Sequence, residues 1–324
     1  MDQLQKRWNE MTDLTEPMVN ENIIENETGP EAAAPYREGA GEKNRIESGT
    51  LYLVATPIGN MADLSPRARK VLCGVDLVAA EDTRVSGMML RNIGSDRPLF
   101  SYHEHNKKAA GRTLIERLKG GASCAVVTDA GTPGISDPGS DLAAACIKEG
   151  IPVTSVPGCC AAVNAVILSG ADTRRFVFEG FLPSEGKERR ERIEYLRSER
   201  RTAVLYEAPH RLAKTLSELS AAFGGERGIA LCREMTKLNE EIFRGTLAEA
   251  AEKYSSQDPR GEFVLVLSGV VEKKEELFWA EMTVEEHVGF YEENGLSRMD
   301  AMKAAARDRG VGKGEIYRQI AKKG

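Results

Sequence analysis

From about residue 49 to residue 170, short unbroken apolar runs alternate with longer stretches whose apolar residues return every three or four positions. The runs at 51–55, 76–80 and 124–128 have no helical spacing and the length of strands buried on both faces, and 153–155 is a shorter one of the same kind. The stretch 106–118 places Leu114, Ile115 and Leu118 on one face and predicts a helix. Ser65 before Pro66 supplies an N-cap and a proline at the first helical position for a helix over 68–72, and a small-residue helix is expected from near Ala161. Strand and helix in alternation predict a parallel α/β sheet. After a polar break at Gly170-Ala171-Asp172-Thr173, strands are expected at 176–181, 203–206, 229–233, 241–245 and 263–267. Helices at 188–197, 211–223 and 247–253 separate some of them, which predicts a second α/β unit of mixed sheet order.

Three of the first strands run directly into loops of glycine and proline. They are Thr56-Pro57-Ile58-Gly59-Asn60, the 129–139 loop Asp-Ala-Gly-Thr-Pro-Gly-Ile-Ser-Asp-Pro-Gly, and Val156-Pro157-Gly158-Cys159-Cys160. Glycine lets a backbone approach a ligand closely, and proline keeps a loop stiff so that little ordering entropy is lost on binding. Any one such loop reads equally as punctuation between elements. Three at the carboxyl ends of parallel strands imply one cleft, where open α/β sheets bind ligands. The first strand is not followed by G-x-G-x-x-G and no Walker loop occurs, so neither a dinucleotide fold nor the common methyltransferase fold is signalled.

Seven blocks occur in a characteristic order: Thr56 to Asn60, Ala80-Glu81-Asp82-Thr83-Arg84, His103-Glu104-His105-Asn106, Asp129 to Gly139, Glu179-Gly180-Phe181-Leu182-Pro183, Tyr206-Glu207-Ala208-Pro209-His210-Arg211 and Arg233-Glu234-Met235-Thr236-Lys237. In these the chain resembles the small-subunit ribosomal RNA ribose methyltransferases of the tetrapyrrole methylase superfamily, over about residues 49–270 and a recognisable tail. The resemblance implies two α/β domains of the tetrapyrrole methylase type, 49–171 and 172–271, with the cofactor cleft between them, and a small helical tail at 272–324. It also implies S-adenosylmethionine as cofactor, the ribose 2'-oxygen of a cytidine in the decoding region of small-subunit ribosomal RNA as methyl acceptor, and a homodimer. Carried over block by block, Pro57 and Gly59 form one wall of the cofactor site and Asp129, Gly131, Thr132, Pro133, Ile135 and Ser136 its floor. Gly158 and Cys159 lie over the cofactor, and Tyr206 and Ala208 contribute from the second domain. Cys159 and Cys160 stand where the family usually has proline and a small residue, which leaves that contact open. A corrin or porphyrin-precursor carbon methylase would share the cleft but lacks the Thr-Pro-Ile-Gly-Asn and Glu-Asp-Thr-Arg blocks; a ribosome-assembly factor with an inactive cleft is the reading from outside enzymology.

A sulfonium methyl donor leaves as a neutral thioether, so alignment supplies much of the rate. A ribose hydroxyl needs its proton accepted as the bond forms, and a carboxylate suits that task. Glu81, Asp82, Glu207 and Glu234 are the candidates; each could instead hold Arg84, Arg211 or Lys237 in a structural ion pair. Arg84, His105, Asn106 and Arg211 are candidates for positioning the RNA backbone. His103 and His105 have no third ligand at metal-site spacing, so substrate contact or loop structure is expected of that block rather than metal binding. The mixed-sign run 187–201 reads as a solvated helix face or, with Arg174 and Arg175, as an RNA surface.

The 324 residues suffice for two domains, and no run approaches the roughly 20 apolar residues of a membrane span. The start lacks the apolar core of a signal peptide and the six cysteines lack framework or zinc spacing, so structural thiols, no metal and a cytoplasmic location are expected. A net charge of −6 argues against coating nucleic acid by bulk attraction. Much of the acidity lies in 1–48, expected to be a disordered acidic extension with one short amphipathic turn at Leu4, Trp8 and Met11. In the tail, Thr283 with Glu286 and Ser297 with Asp300 are capping signals, and Met299, Met302, Ala306, Ile316 and Ile320 mark apolar faces of two short helices joined at Gly310-Val311-Gly312. This resembles a helix-turn-helix. Basic residues exceed acidic ones by about five between Arg298 and Lys323, which suits either phosphate binding or a solvated helix pair.

Overall fold

Strands β1 (Leu51–Val54), β2 (Leu77–Ala80), β3 (Leu99–Ser101), β4 (Cys124–Val127) and β5 (Val153–Val156) form a parallel sheet in the order β3-β2-β4-β1-β5 in the computed structural model. The structure describes residues 43–256, 259–270 and 277–321. The expected amphipathic turn and nearly all of the acidic extension lie outside the described residues, as do Lys322 and Lys323. Alternate residues of each strand serve two cores, as the pleat requires. Val54, Val78, Ala80 and Val127 pack under helices α1 (Pro66–Gly74) and α2 (Thr83–Asn92) through Val71, Leu72 and Leu90. Leu51, Ala79 and Val126 pack under α3 (Lys107–Lys119) and α4 (Gly139–Lys148) through Leu114, Leu118 and Leu142. The Ser65 cap is formed: its hydroxyl accepts the Ala68 N–H at 3.0 Å, with Pro66 opening α1.

Helix α5 (Ala161–Ser169) follows β5 but does not return to its sheet. Its Ala162, Ala165 and Val166 are buried against Val204, Ala230, Val264 and Val266 of a second sheet. That sheet comprises β6 (Phe176–Phe181), β7 (Thr202–Glu207), β8 (Gly228–Arg233), β9 (Glu241–Thr246) and β10 (Phe263–Leu267), in the order β6-β7-β10-β8-β9. Only β6 and β7 run parallel, so the sheet is mixed, as the pattern predicts. All five residues of β10 are buried, because this strand sits in the middle with α5 on one face. The other face is covered by α6 (Gly186–Arg197), α7 (Pro209–Phe223) and α8 (Leu247–Ser255), which contribute Leu196, Leu216 and Leu247.

The tail contains three helices, α9 (Val284–Glu293), α10 (Arg298–Asp308) and α11 (Lys313–Ala321), around Val288, Met302, Ala305 and Ile316. Both halves of the Thr283–Glu286 capping box are made, and Ser297 accepts the Asp300 N–H. Met299, expected on the apolar face, is exposed, because Ala301, Met302 and Ala305 define the face that α10 turns inward. No helix among the described residues is long and apolar enough to cross a membrane.

Candidate active site

The three Gly-Pro loops are stitched together. Thr56 and Gly131 exchange backbone hydrogen bonds at 2.9 and 3.2 Å, and the Thr132 hydroxyl donates to the Cys159 carbonyl at 2.8 Å. Gly131 has a φ of +87°, and a Cβ there would stand 3.3 Å from Ile58, so both the turn and the close approach call for glycine. Asp137 accepts the N–H groups of Gly134 and Gly139, closing the loop onto the start of α4. The second half interlocks with this floor. A Cβ on Gly59 would collide with the Lys237 side chain, and one on Gly180 would stand 3.1 Å from the Ser136 hydroxyl.

Between them lies a cleft of about 390 Å³. Its lining includes Glu81, Asp129, Gly131, Thr132, Ile135 and Ser136 from the first half and Tyr206, Glu207, Ala208 and Glu234 from the second, all expected from the sequence. Pro57, Gly59, Pro133, Gly158 and Cys159 are not in the lining; Cys160 takes the place expected of Cys159, whose carbonyl holds Thr132 instead. Gly158 serves packing, since a Cβ there would come within 2.9 Å of the Ala55 methyl. Asp137, Phe181, Met235 and Glu262 also line the cleft and were not expected. The first three lie inside the seven sequence blocks; Glu262 precedes β10 with no local signal. Among the described residues three non-glycines have left-handed φ, Ser136, Glu234 and Thr236, and the first two line the cleft. Such strain concentrates at functional sites.

The four candidate carboxylates separate by their partners. Asp82 caps α2 through the Arg84 N–H and forms a bidentate pair with the Arg84 guanidinium, which holds its carboxyl well below the usual range; it is not in the lining. Glu207 is buried, accepting from the Thr215 hydroxyl at 2.6 Å and the Ala208 N–H at 2.9 Å, with Arg211 Nε at 3.2 Å. Glu234 accepts from Lys237 Nζ at 2.9 Å and the Glu262 N–H at 3.0 Å, and the lysine bond lowers its pKa. Glu81 has one weak contact, the Thr128 hydroxyl at 3.3 Å, and burial followed by the Asp129 charge pushes its pKa up. Asp129, which accepts the Asp82 N–H at 3.1 Å, is likewise pushed up by burial, so Glu81 and Asp129 are the two lining carboxylates with capacity left to accept a proton.

Of the RNA candidates, Arg211 is committed inside the second half, donating to the Leu182 carbonyl at 2.6 Å as well as facing Glu207. Asn106 is turned onto its own loop, accepting the His103 N–H and donating to the Ser101 carbonyl. Arg84 and His105 are exposed. On α6, Arg189 is buried against Glu218, Thr215 and the Pro183 carbonyl, while Lys187–Glu191 and Arg197–Glu194 pair along a solvated face. The lining holds six carboxylates, Glu81, Asp129, Asp137, Glu207, Glu234 and Glu262, and no Lys, Arg or His. Among the described residues no group of three or more His, Cys, Asp or Glu is arranged to hold a metal ion.

Two α/β halves thus close on a cleft built from strand-end loops. Residues 50–251 match the family model of the tetrapyrrole (corrin/porphyrin) methylases, and the chain belongs to that family. It is 45% identical over 277 residues to ribosomal RNA small subunit methyltransferase I of Halalkalibacterium halodurans, covering 85% of this chain and 96% of the relative. The protein of the same name from Synechocystis is 43% identical over 269 residues, 83% of this chain and 96% of its own length. In fold the chain is similar to the uroporphyrin-III C-methyltransferase of Thermus thermophilus complexed with S-adenosylhomocysteine, with a TM-score of 0.50 at 16% identity over 68% of this chain and 96% of that one.

Proposed function

We propose that this chain transfers a methyl group from S-adenosylmethionine to the ribose 2'-oxygen of a cytidine in the decoding region of small-subunit ribosomal RNA. The observation that carries the reading is the lining of the cleft. A sulfonium cation suits the Glu81, Asp129 and Asp137 carboxylates, the three of the lining outside the Arg211 and Lys237 ion pairs, and the Ile58, Ile135, Met235 and Val264 side chains suit the apolar parts of the donor. The backbone groups of the 129–139 loop are available to its polar groups. When bound, the donor supplies the electrophilic methyl. Glu81 accepts the proton of the attacking hydroxyl. Arg84 and His105, both exposed, meet the RNA backbone.

The test is to incubate the protein with unmodified small subunits and methyl-labelled S-adenosylmethionine, digest the RNA to nucleosides, and identify the product by mass spectrometry. The reading requires 2'-O-methylcytidine. Label on a base or nowhere overturns it, the last outcome favouring an assembly factor.

Three further assignments belong to this reading. The domains divide near residue 171, with the tail at 272–324 holding RNA: α10 and α11 carry Arg298, Lys303, Arg307, Lys313 and Arg318. Truncation before the tail is expected to leave donor affinity unchanged in calorimetry, weaken subunit binding, and flatten its salt dependence by roughly one unit of slope for each phosphate no longer neutralised. Equal subunit binding by the shortened chain would remove the tail from the RNA surface. The partner is a second copy of the chain, seated on the outer face of α5, where Val163 and Ile167, four residues apart, are 45% and 65% exposed on a helix apolar nearly all round. Light scattering should give twice the monomer mass, and Ile167→Glu should halve it; a monomeric parent refutes the dimer. Its ribosomal substrate assigns the protein to the cytoplasm.

A further inference from the structure

Strand β6 is an edge of the second sheet and pairs in parallel with β7, and its register shifts by one residue between Phe178 and Gly180. Before the shift Phe178 stands opposite Val204; after it Phe181 stands opposite Tyr206. In an unbroken strand residues 178 and 181, three apart, would point to opposite faces, and Phe181 would turn toward the side that α6, α7 and α8 cover. The extra residue, with Gly180 at a φ of +64°, brings Phe181 to the same face as Phe178. Both rings meet Tyr206 edge to face, at 5.0 and 5.6 Å between centroids.

The ring so turned faces the cleft. Phe181 is in the lining and 52% exposed, and Ile135, the other open apolar side chain there, is 38% exposed. The two flank the point where the halves touch, since a Cβ on Gly180 would stand 3.1 Å from the Ser136 hydroxyl. The exposure is not slack. The Tyr206 hydroxyl behind the ring accepts the Ala162 N–H at 3.3 Å, and Leu182 after it is buried. Arg211 donates to the Leu182 carbonyl at 2.6 Å, Arg189 to the Pro183 carbonyl at 2.8 Å, and Glu179 on the other side pairs with Arg192 at 2.6 Å.

An aromatic face fixed from behind and open in front fits a flat π-electron ligand. We infer that Phe181 is the surface on which the base of the acceptor nucleotide stacks after leaving the RNA, an assignment that rests on the reading of the chain as a ribose methyltransferase. A ribose brings its 2'-oxygen into a cleft when its nucleotide swings away from its neighbours, which costs base stacking, and an aromatic side chain returns it. The donor also carries a flat base. The carboxylates that suit its sulfonium, Glu81, Asp129 and Asp137, and the glycine-rich floor belong to the first half, whereas Phe181 stands on the second half at the open side of the cleft. Stacking is indifferent to base identity, so the ring captures and orients the nucleotide without reading it.

The experiment compares the full chain with Phe181→Tyr, Phe181→Leu and Phe181→Ala, using single-turnover methylation at rising concentrations of unmodified small subunits and calorimetry with S-adenosylhomocysteine. Leucine keeps apolar volume against Tyr206 but has no π face, so it separates stacking from packing. The Leu and Ala variants should raise the half-saturating subunit concentration about tenfold with the maximal rate unchanged, because stacking is present before and during transfer alike. The Tyr variant should match the parent, and product affinity should stay the same in all three. A Leu variant that saturates like the parent overturns the inference and reduces the ring to an apolar wall. A product affinity that falls in step with subunit saturation in the Leu variant also overturns it, giving the ring to the adenine of the donor. If the parent makes no 2'-O-methylcytidine, the function fails and the stacking with it; if the parent makes it and the Leu variant saturates equally, the stacking alone fails.

Discussion

Replacing Glu81 with Gln should reduce methyl transfer by about two to four orders of magnitude while donor and subunit affinities stay near those of the parent. The amide fills the same volume beside the Thr128 hydroxyl but cannot take up a proton. Asp82, Glu207 and Glu234 cannot substitute, because their oxygens are already satisfied by Arg84, by Thr215 and Arg211, and by Lys237. The pH dependence has a definite sign. Burial and the nearby Asp129 charge raise the Glu81 pKa, and the ionised form is the one that works, so the rate should climb with pH through a midpoint above the usual carboxylate range. Single-turnover rates across pH decide it. A midpoint at the ordinary value, or a Gln variant of parental rate, would sink the assignment.

Glu207→Ala should behave differently, destabilising the fold by about 3 kcal/mol without removing a reacting group. Its side chain is 1% exposed and ties the end of β7 to two points of α7, Thr215 and Arg211. Deleting it leaves the Arg211 charge and the Thr215 hydroxyl without their acceptor, though Arg211 keeps the Leu182 carbonyl, which places the cost toward the low end for a broken buried pair. Thermal denaturation should fall by several degrees, with Glu207→Gln intermediate, and turnover per folded molecule should change little. An Ala variant that melts with the parent yet has lost turnover would return Glu207 to the chemistry.

The floor of the cleft was legible in the sequence because the 129–139 loop carries its requirements locally: a left-handed glycine at 131, prolines that stiffen it, and an aspartate at 137 that satisfies the loop's own amides. So were the ion pairs of Arg84, Arg211 and Lys237, which the alternative reading of the carboxylates names and the structure forms. The second acceptor of Arg211 was not, because it is the carbonyl of Leu182, a backbone group that no pattern of side chains announces. Cys160 replaces Cys159 in the lining because the chain there is extended, and in extended chain neighbouring side chains point to opposite sides. Helix α2 is not announced by the pattern, since its inward face is Ser86, Gly87 and Leu90, with one large apolar side chain among them. Strand β3 is three residues long and half exposed at the sheet edge, too little for any period to register. Glu262 enters the site because β10 pairs between β7 and β8, a long-range arrangement that local spacing cannot express.

Helix α5 is synthesised with the first sheet but finds its surface on strands that emerge later, the last of them, β10, at the centre of the second sheet. Until β10 is available, Ala162, Ala165 and Val166 have no complete surface to rest on, and β7 and β8 lack the strand that joins them. Burial of α5 must therefore wait on contacts between distant parts of the chain, the circumstance in which folding is slow. The first sheet has both its cores from residues before α5, and the nascent chain carries that apolar helix uncovered until the second sheet closes over it.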